Sequence, residues 1–175
     1  MTGVQTCALP ISARFIAREA QLEPLLLENM AAFLYRWTGE NPAVPRALSG
    51  CFWLLGGFFL FQLTRNLMAV EQSRDAESRH AALAALLFYL FLPYSVSASR
   101  SFQPDPLMVL FLLAFWWAFD RWSRSPADWR WAISAGLLGG LAIYIKLTAV
   151  FFVVGGAIGL LLAHQILIPD RKSVV

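Results

Sequence analysis

Residues that could build an ordinary metal or redox site are scarce in this chain. It has two cysteines, Cys7 and Cys51, which supply neither a disulfide framework nor a CxxC metal pattern. It has two histidines, His80 and His164, and no ligand spacing links them. Both fall near a predicted membrane interface, and the residues alone assign them no role. Charged residues make up only 14% of the chain. Lysine is rarer still, confined to Lys146 and Lys172. The basic residues lie scattered among acids and form no tract, so a net charge of +3 gives no reason to expect nucleic acid as a partner. What is abundant is apolar: 58% of residues are hydrophobic and mean hydropathy is +0.58. That balance lies outside the soluble range and predicts an all-α, polytopic membrane protein with membrane lipid as its surroundings.

The two ends are expected to be foreign to the fold. Residues 1–12 (MTGVQTCALPIS) and 170–175 (DRKSVV) read as translated sequencing-adapter DNA. Setting them aside as one would a fusion scar, residues 13–45 form an exterior juxtamembrane segment, and residues 46–169 a transmembrane helical region cut from a longer gene.

Five apolar segments are expected to enter the membrane: residues 47–64, 81–97, 107–119, 131–145 and 147–163. The last two share one apolar stretch over 131–168, too long for a single span of roughly 20 residues. Lys146 is its natural break. The positive-inside rule sets the orientation. Arg65, Arg74 and Arg79 mark residues 65–80 as cytoplasmic, and Arg121, Arg124 and Arg130 mark residues 120–130. The insert Ser99-Arg100-Ser101-Phe102-Gln103-Pro104-Asp105-Pro106 and Lys146 then face outward. Trp116, Trp117, Trp122, Trp129 and Trp131 cluster as an interfacial aromatic belt would, and Tyr94 reads as an interface anchor.

Residues 13–45 carry too many charges to span. Leu25, Leu26, Leu27, Met30, Phe33, Leu34 and Trp37 recur at helical spacing, which suggests an amphipathic helix lying in the interface plane. Gly39 is expected to cap it and Pro42 to block its continuation. Gly136 and Gly140, and again Gly155 and Gly159, have GxxxG spacing, which permits close helix approach. Packing within the chain is the expected use, a dimer face the other.

Few residues can carry chemistry. Arg100 at a membrane rim suits a phosphate, because its planar fork makes bidentate contacts, although a snorkelling arginine would look the same. Asp105 followed by Pro106 makes a good helix start, with Asp105 as N-cap and Pro106 behind it, and a salt bridge to Arg100 is open to it. Lys146 facing lipid at mid-depth would cost about 2.5–3.5 kcal/mol on insertion scales. It therefore belongs at a break near the outer surface, on the side of Arg100. Glu23 and Glu28 fit the wet face of the interfacial helix.

Three stretches together resemble family 39-type glycosyltransferases, membrane enzymes of the GT-C fold related to protein O-mannosyltransferases and to the lipid A aminoarabinose transferase. The first runs from Gln21-Leu22-Glu23-Pro24-Leu25 through Leu34-Tyr35-Arg36-Trp37-Thr38-Gly39-Glu40 to Arg46-Ala47-Leu48-Ser49. The second is SASRSFQPDPLM, similar to a Ser-Arg-x-x-x-Pro-Asp loop. The third is GLAIYIKLTA, similar to a Gly-Leu-Ala…Lys-x-Thr segment. The likeness covers roughly residues 22–162. It implies transfer of a sugar from a polyprenyl-phosphate carrier to an exterior-facing acceptor (a lipid, glycan or protein) at a bacterial inner membrane. It also implies that Arg100 and Lys146 hold the carrier phosphate, that Glu23 and Asp105 line the cavity, and that some members place a divalent metal near Glu23. The chain departs in two ways. The family's acidic base is expected upstream of residue 13, so no catalytic base can be named and the fragment should be inactive alone. Lys146-Leu147 also stands where many relatives have Lys-Pro or Lys-Gly. Two other readings remain: a secondary transporter or flippase, which predicts an inverted repeat the sequence does not show, and a non-catalytic membrane subunit.

Overall fold

The computed structural model describes residue 24 and residues 26–39, 41–68 and 75–167, with side chains to residue 159. Helices account for nearly all of it: α1 Leu26–Thr38, α2 Ala43–Met68, α3 Asp75–Phe91, α4 Pro93–Arg100, α5 Asp105–Arg124, α6 Trp129–Ile145 and α7 Ala149–Leu167. No strand occurs among the described residues.

Local chemistry sets most of the boundaries. Gly39 ends α1 at a φ of +74°, and its N–H donates to the Tyr35 carbonyl at 3.0 Å, the left-handed cap expected of it. The Asn41 side chain accepts from the Ala43 N–H at 2.9 Å and starts α2. Pro93 has no N–H and pushes Leu92 into extended backbone (ψ 138°), so α3 and α4 meet at a 60° bend. Asp128 caps α6 by accepting from the Arg130 N–H at 3.3 Å. At the other end of α6, Lys146 is extended (φ −148°, ψ 118°), which stops the helix at the break its charge predicted.

α5 is the centre of the bundle and packs along α2 on one side and α6 on the other. Towards its start, Leu107 and Leu110 join Leu27, Phe52 and Ile145; towards its end, Phe115 and Ala118 join Ala135. In lipid such contacts gain little from the hydrophobic effect, and close packing does more of the holding. Two close approaches show this. A methyl added at Gly56 of α2 would lie 2.7 Å from the Tyr89 hydroxyl, and one at Gly156 of α7 would overlap the Trp116 ring. Tyr89 also stacks on Trp53, with ring centroids 4.4 Å apart, and donates to the Trp53 carbonyl at 3.3 Å.

One expectation is met in part and another changes. Among the described residues, α2 is the one helix long and apolar enough to cross a membrane, and the bent α3–α4 pair is a second candidate if it counts as one span. The bend at Leu92 divides α3 from α4, and α5, although 20 residues long, carries Asp105, Asp120, Arg121 and Arg124 towards its ends. α6 has 17 residues, about 25 Å at 1.5 Å per residue, against roughly 30 Å of hydrocarbon. The paired glycines do not pack as expected. Gly136, Gly140, Gly155 and Gly159 all face open space, while the intimate contacts fall one position away, at Gly139 against Phe115 and at Gly156.

α1 occupies part of the expected interfacial segment. It buries Leu27 and Ala31 on the bundle and leaves Phe33 and Trp37 58% and 80% exposed. Its apolar side chains thus point two ways, into protein and outward, as a helix lying on an interface requires.

Candidate phosphate-binding rim

The start of α5, the end of α6 and the end of α4 lie at one end of the bundle. The proof is a bond between residues 41 positions apart: Lys146 Nζ donates to Asp105 Oδ1 at 2.6 Å. Both side chains are partly open to the surroundings, Lys146 32% and Asp105 22% exposed. The pair is favoured by more than its own attraction. Asp105 sits in the first turn of α5, where the helix dipole favours an anion, and Lys146 directly follows the last turn of α6, where it favours a cation.

This corrects two readings of Asp105, as N-cap and as partner of Arg100. The N-cap of α5 is Pro104, no side chain caps that helix end, and Asp105 lies one residue inside. Its carboxylate pairs with Lys146 and not with Arg100. Arg100 closes α4, is exposed, and makes no ion pair or side-chain hydrogen bond among the described residues. The link between them is braced by local hydrogen bonds. Ser101 donates from its N–H to Ser97 and from its hydroxyl to Ala98, and the Gln103 N–H donates to Ser101. Pro106 is fully buried and anchors the far side. The link thus presents Arg100 at the rim on a braced turn. Ser99 is part of the same corner, its carbonyl facing Gly50 near the start of α2.

Glu23 lies outside the described residues. Among those described, no group of three or more His, Cys, Asp or Glu side chains could hold a metal. Tyr94 is 70% exposed and His80 is exposed. One feature had no sequence signal: Ser49 of α2 is wholly buried, and its hydroxyl has no hydrogen-bond partner among the described residues.

The opposite end is built differently. Arg124 donates from Nε to both carboxylate oxygens of Asp120 at 3.1 Å and from Nη2 to the Asn66 carbonyl at 2.8 Å. Arg121 lies over the Trp117 and Trp131 rings, 5.4 and 5.8 Å from their centroids. The ends of α2 and α5 and the start of α6 are tied together there. The Asp120–Arg124 pair was readable as an i,i+4 pair; the tie to Asn66 was not.

The profile of the family described as dolichyl-phosphate-mannose-protein mannosyltransferase matches residues 23–173, and the chain belongs to that family. The match reinforces the resemblance carried by the three stretches. No curated protein and no solved structure matches the chain. Members of the family are integral membrane proteins, use lipid-linked sugar donors, and their activity is of the glycosyltransferase kind.

Proposed function

We propose that this chain is the phosphate-holding part of a glycosyltransferase that moves a sugar from a polyprenyl-phosphate carrier to an acceptor on the outer side of a bacterial inner membrane. The observation that carries this reading is the Lys146–Asp105 bond, which brings Lys146 to the end of the bundle where Arg100 closes α4. The reading places that end outward, the loops over 65–80 and 120–130 in the cytoplasm, and α2, α3–α4, α5, α6 and α7 as five membrane segments. α1 lies in the outer interface.

The chemistry follows from charge. As the sugar leaves, its bond to the phosphate oxygen breaks and that oxygen gains negative charge. A preplaced cation that binds this charge more strongly than it binds the intact donor lowers the barrier. Arg100 offers a planar fork to two phosphate oxygens and Lys146 a mobile point charge. The acceptor proton goes to a base that the described residues do not supply, and Glu23 is assigned to the cavity wall from the family resemblance. Neither cation reads the sugar ring, so this chemistry serves a hexose and a pentose alike.

The test is sugar transfer by the full-length protein in proteoliposomes loaded with polyprenyl-phosphate sugar. Arg100→Ala and Lys146→Ala should each lower turnover on the order of 100-fold, the scale of losing one charge-stabilising donor. Transfer within threefold of wild type in both variants would overturn the reading.

A further inference from the structure

We propose that Asp105 is a stand-in anion: it holds Lys146 while the site is empty and releases it to the carrier phosphate, which makes it a residue that sets affinity and anion selectivity. The inference rests on the reading that Lys146 meets that phosphate.

Four observations carry it. The pair is short, 2.6 Å, and is made by side chains of this chain alone. Both members remain partly exposed, so an anion can reach Lys146 without unfolding anything. The Lys146 side chain is a four-carbon stem with rotatable donors, on an extended residue between two helices, so its ammonium can swing while the backbone stays fixed. Finally, Asp105 makes no capping bond that would explain it otherwise, yet it occupies the first turn of α5, where backbone N–H groups and the helix dipole still favour its charge once Lys146 has moved.

Exchange of one anion for another is selective. A singly charged solute anion gains from Lys146 no more than Asp105 already supplies, and it must also be localised. The donor's phosphodiester is singly charged too, but it is delivered beside Lys146 by its lipid tail and meets a second cation in Arg100, and the spent phosphate monoester carries more charge still. The stand-in therefore keeps the site from filling with chloride or free carboxylates. It also lowers affinity for the correct ligand by the fraction of time that the pair is closed.

The experiment measures binding of farnesyl phosphate to full-length protein in detergent, followed by tryptophan fluorescence, alongside transfer kinetics. If the pair is closed about nine-tenths of the time, Asp105→Asn should bind about tenfold tighter. KM and kcat should fall together, because the spent phosphate leaves more slowly, and chloride should become an inhibitor. A merely structural Asp105 would give weaker binding and no chloride effect. Asp105→Ser, which keeps a polar group in the first turn of the helix, should behave like Asp105→Asn. If Asp105→Asn and Asp105→Ser bind no tighter while Arg100→Ala and Lys146→Ala bind more weakly, the exchange is overturned and the phosphate site stands. If Arg100→Ala and Lys146→Ala bind as wild type does, the phosphate reading falls and the exchange with it. If neither Asp105 variant folds, Asp105 is structural and the exchange is overturned.

Discussion

The two ends of the bundle use arginine in different ways. At the α5–α6 turn, Arg124 is spent on protein partners: both oxygens of Asp120 and the carbonyl of Asn66. Its neighbour Arg121 lies on two indole faces. At the opposite end, Arg100 projects from a braced turn with no hydrogen-bonding side-chain partner among the described residues, and Lys146 is held by a carboxylate that is itself partly exposed. Cations that tie helices together need fixed partners from the same fold. Cations meant for a ligand need access and a partner they can leave. On the proposed function, one end is construction and the other recognition, although both look alike as isolated charges among apolar residues.

Charge-conserving substitution gives the largest contrast. Arg100→Lys keeps the charge and loses the fork, so polyprenyl-phosphate sugar transfer should fall about tenfold, the loss expected when a bidentate phosphate contact becomes a single one. Arg124→Lys should leave transfer within twofold. Equal losses at both ends, in proteoliposome assays of full-length protein, would break the comparison.

How far the sequence could go depended on whether the signal was local. The stop at Lys146 was legible because a cation cannot sit in the middle of an apolar helix at low cost, and the cap at Gly39 because a helix followed by Gly and then Pro has few other endings. The five apolar segments were legible as composition but not as lengths: α2 runs over Ala43–Met68 where residues 47–64 were expected and α5 over Asp105–Arg124 where 107–119 were, because polar ends extend a helix past its apolar middle, while the bend before Pro93 divides the segment over 81–97. GxxxG spacing found two helices rich in glycine but not the face they present, and the contacts fell at Gly139 and Gly156. In the candidate site, proximity along the chain pointed Asp105 towards Arg100. The actual partner is 41 residues away, and only the antiparallel return of α6 along α5 brings it near. Nothing in a single sequence specifies that pairing, because hydropathy fixes neither the register of two packed helices nor which of their ends meet.

Stability separates the ends more modestly. Arg124→Ala removes an ion pair with a half-exposed arginine, worth little in itself, and a charged hydrogen bond to the Asn66 carbonyl that links two helices. The sum should be about 1–2 kcal/mol. A double-mutant cycle with Asp120→Ala should assign less than about 1 kcal/mol of it to the carboxylate. If the whole loss couples to Asp120, the tie to α2 contributes nothing and this end is held by a single helix's own pair. Arg100→Ala should leave unfolding in detergent unchanged, because that side chain holds no helix to another.

The smallest effect belongs to Arg121. Its guanidinium faces the Trp117 and Trp131 rings, which themselves meet edge to face with centroids 5.2 Å apart. Such a contact is worth about 0.5–1 kcal/mol at an exposed site. Arg121→Met keeps an apolar stem over the rings and removes the charge, so it isolates the cation–π part from the packing part. The loss on unfolding should lie within that range and should vanish when Trp117 is already leucine. If Arg121→Met costs nothing in either background, the rings hold α5 to α6 by packing alone, and Arg121 becomes one more cation at an interface. The contrast between the ends would then rest on Arg124, whose partners are fixed by the bond to Asn66 across two helices.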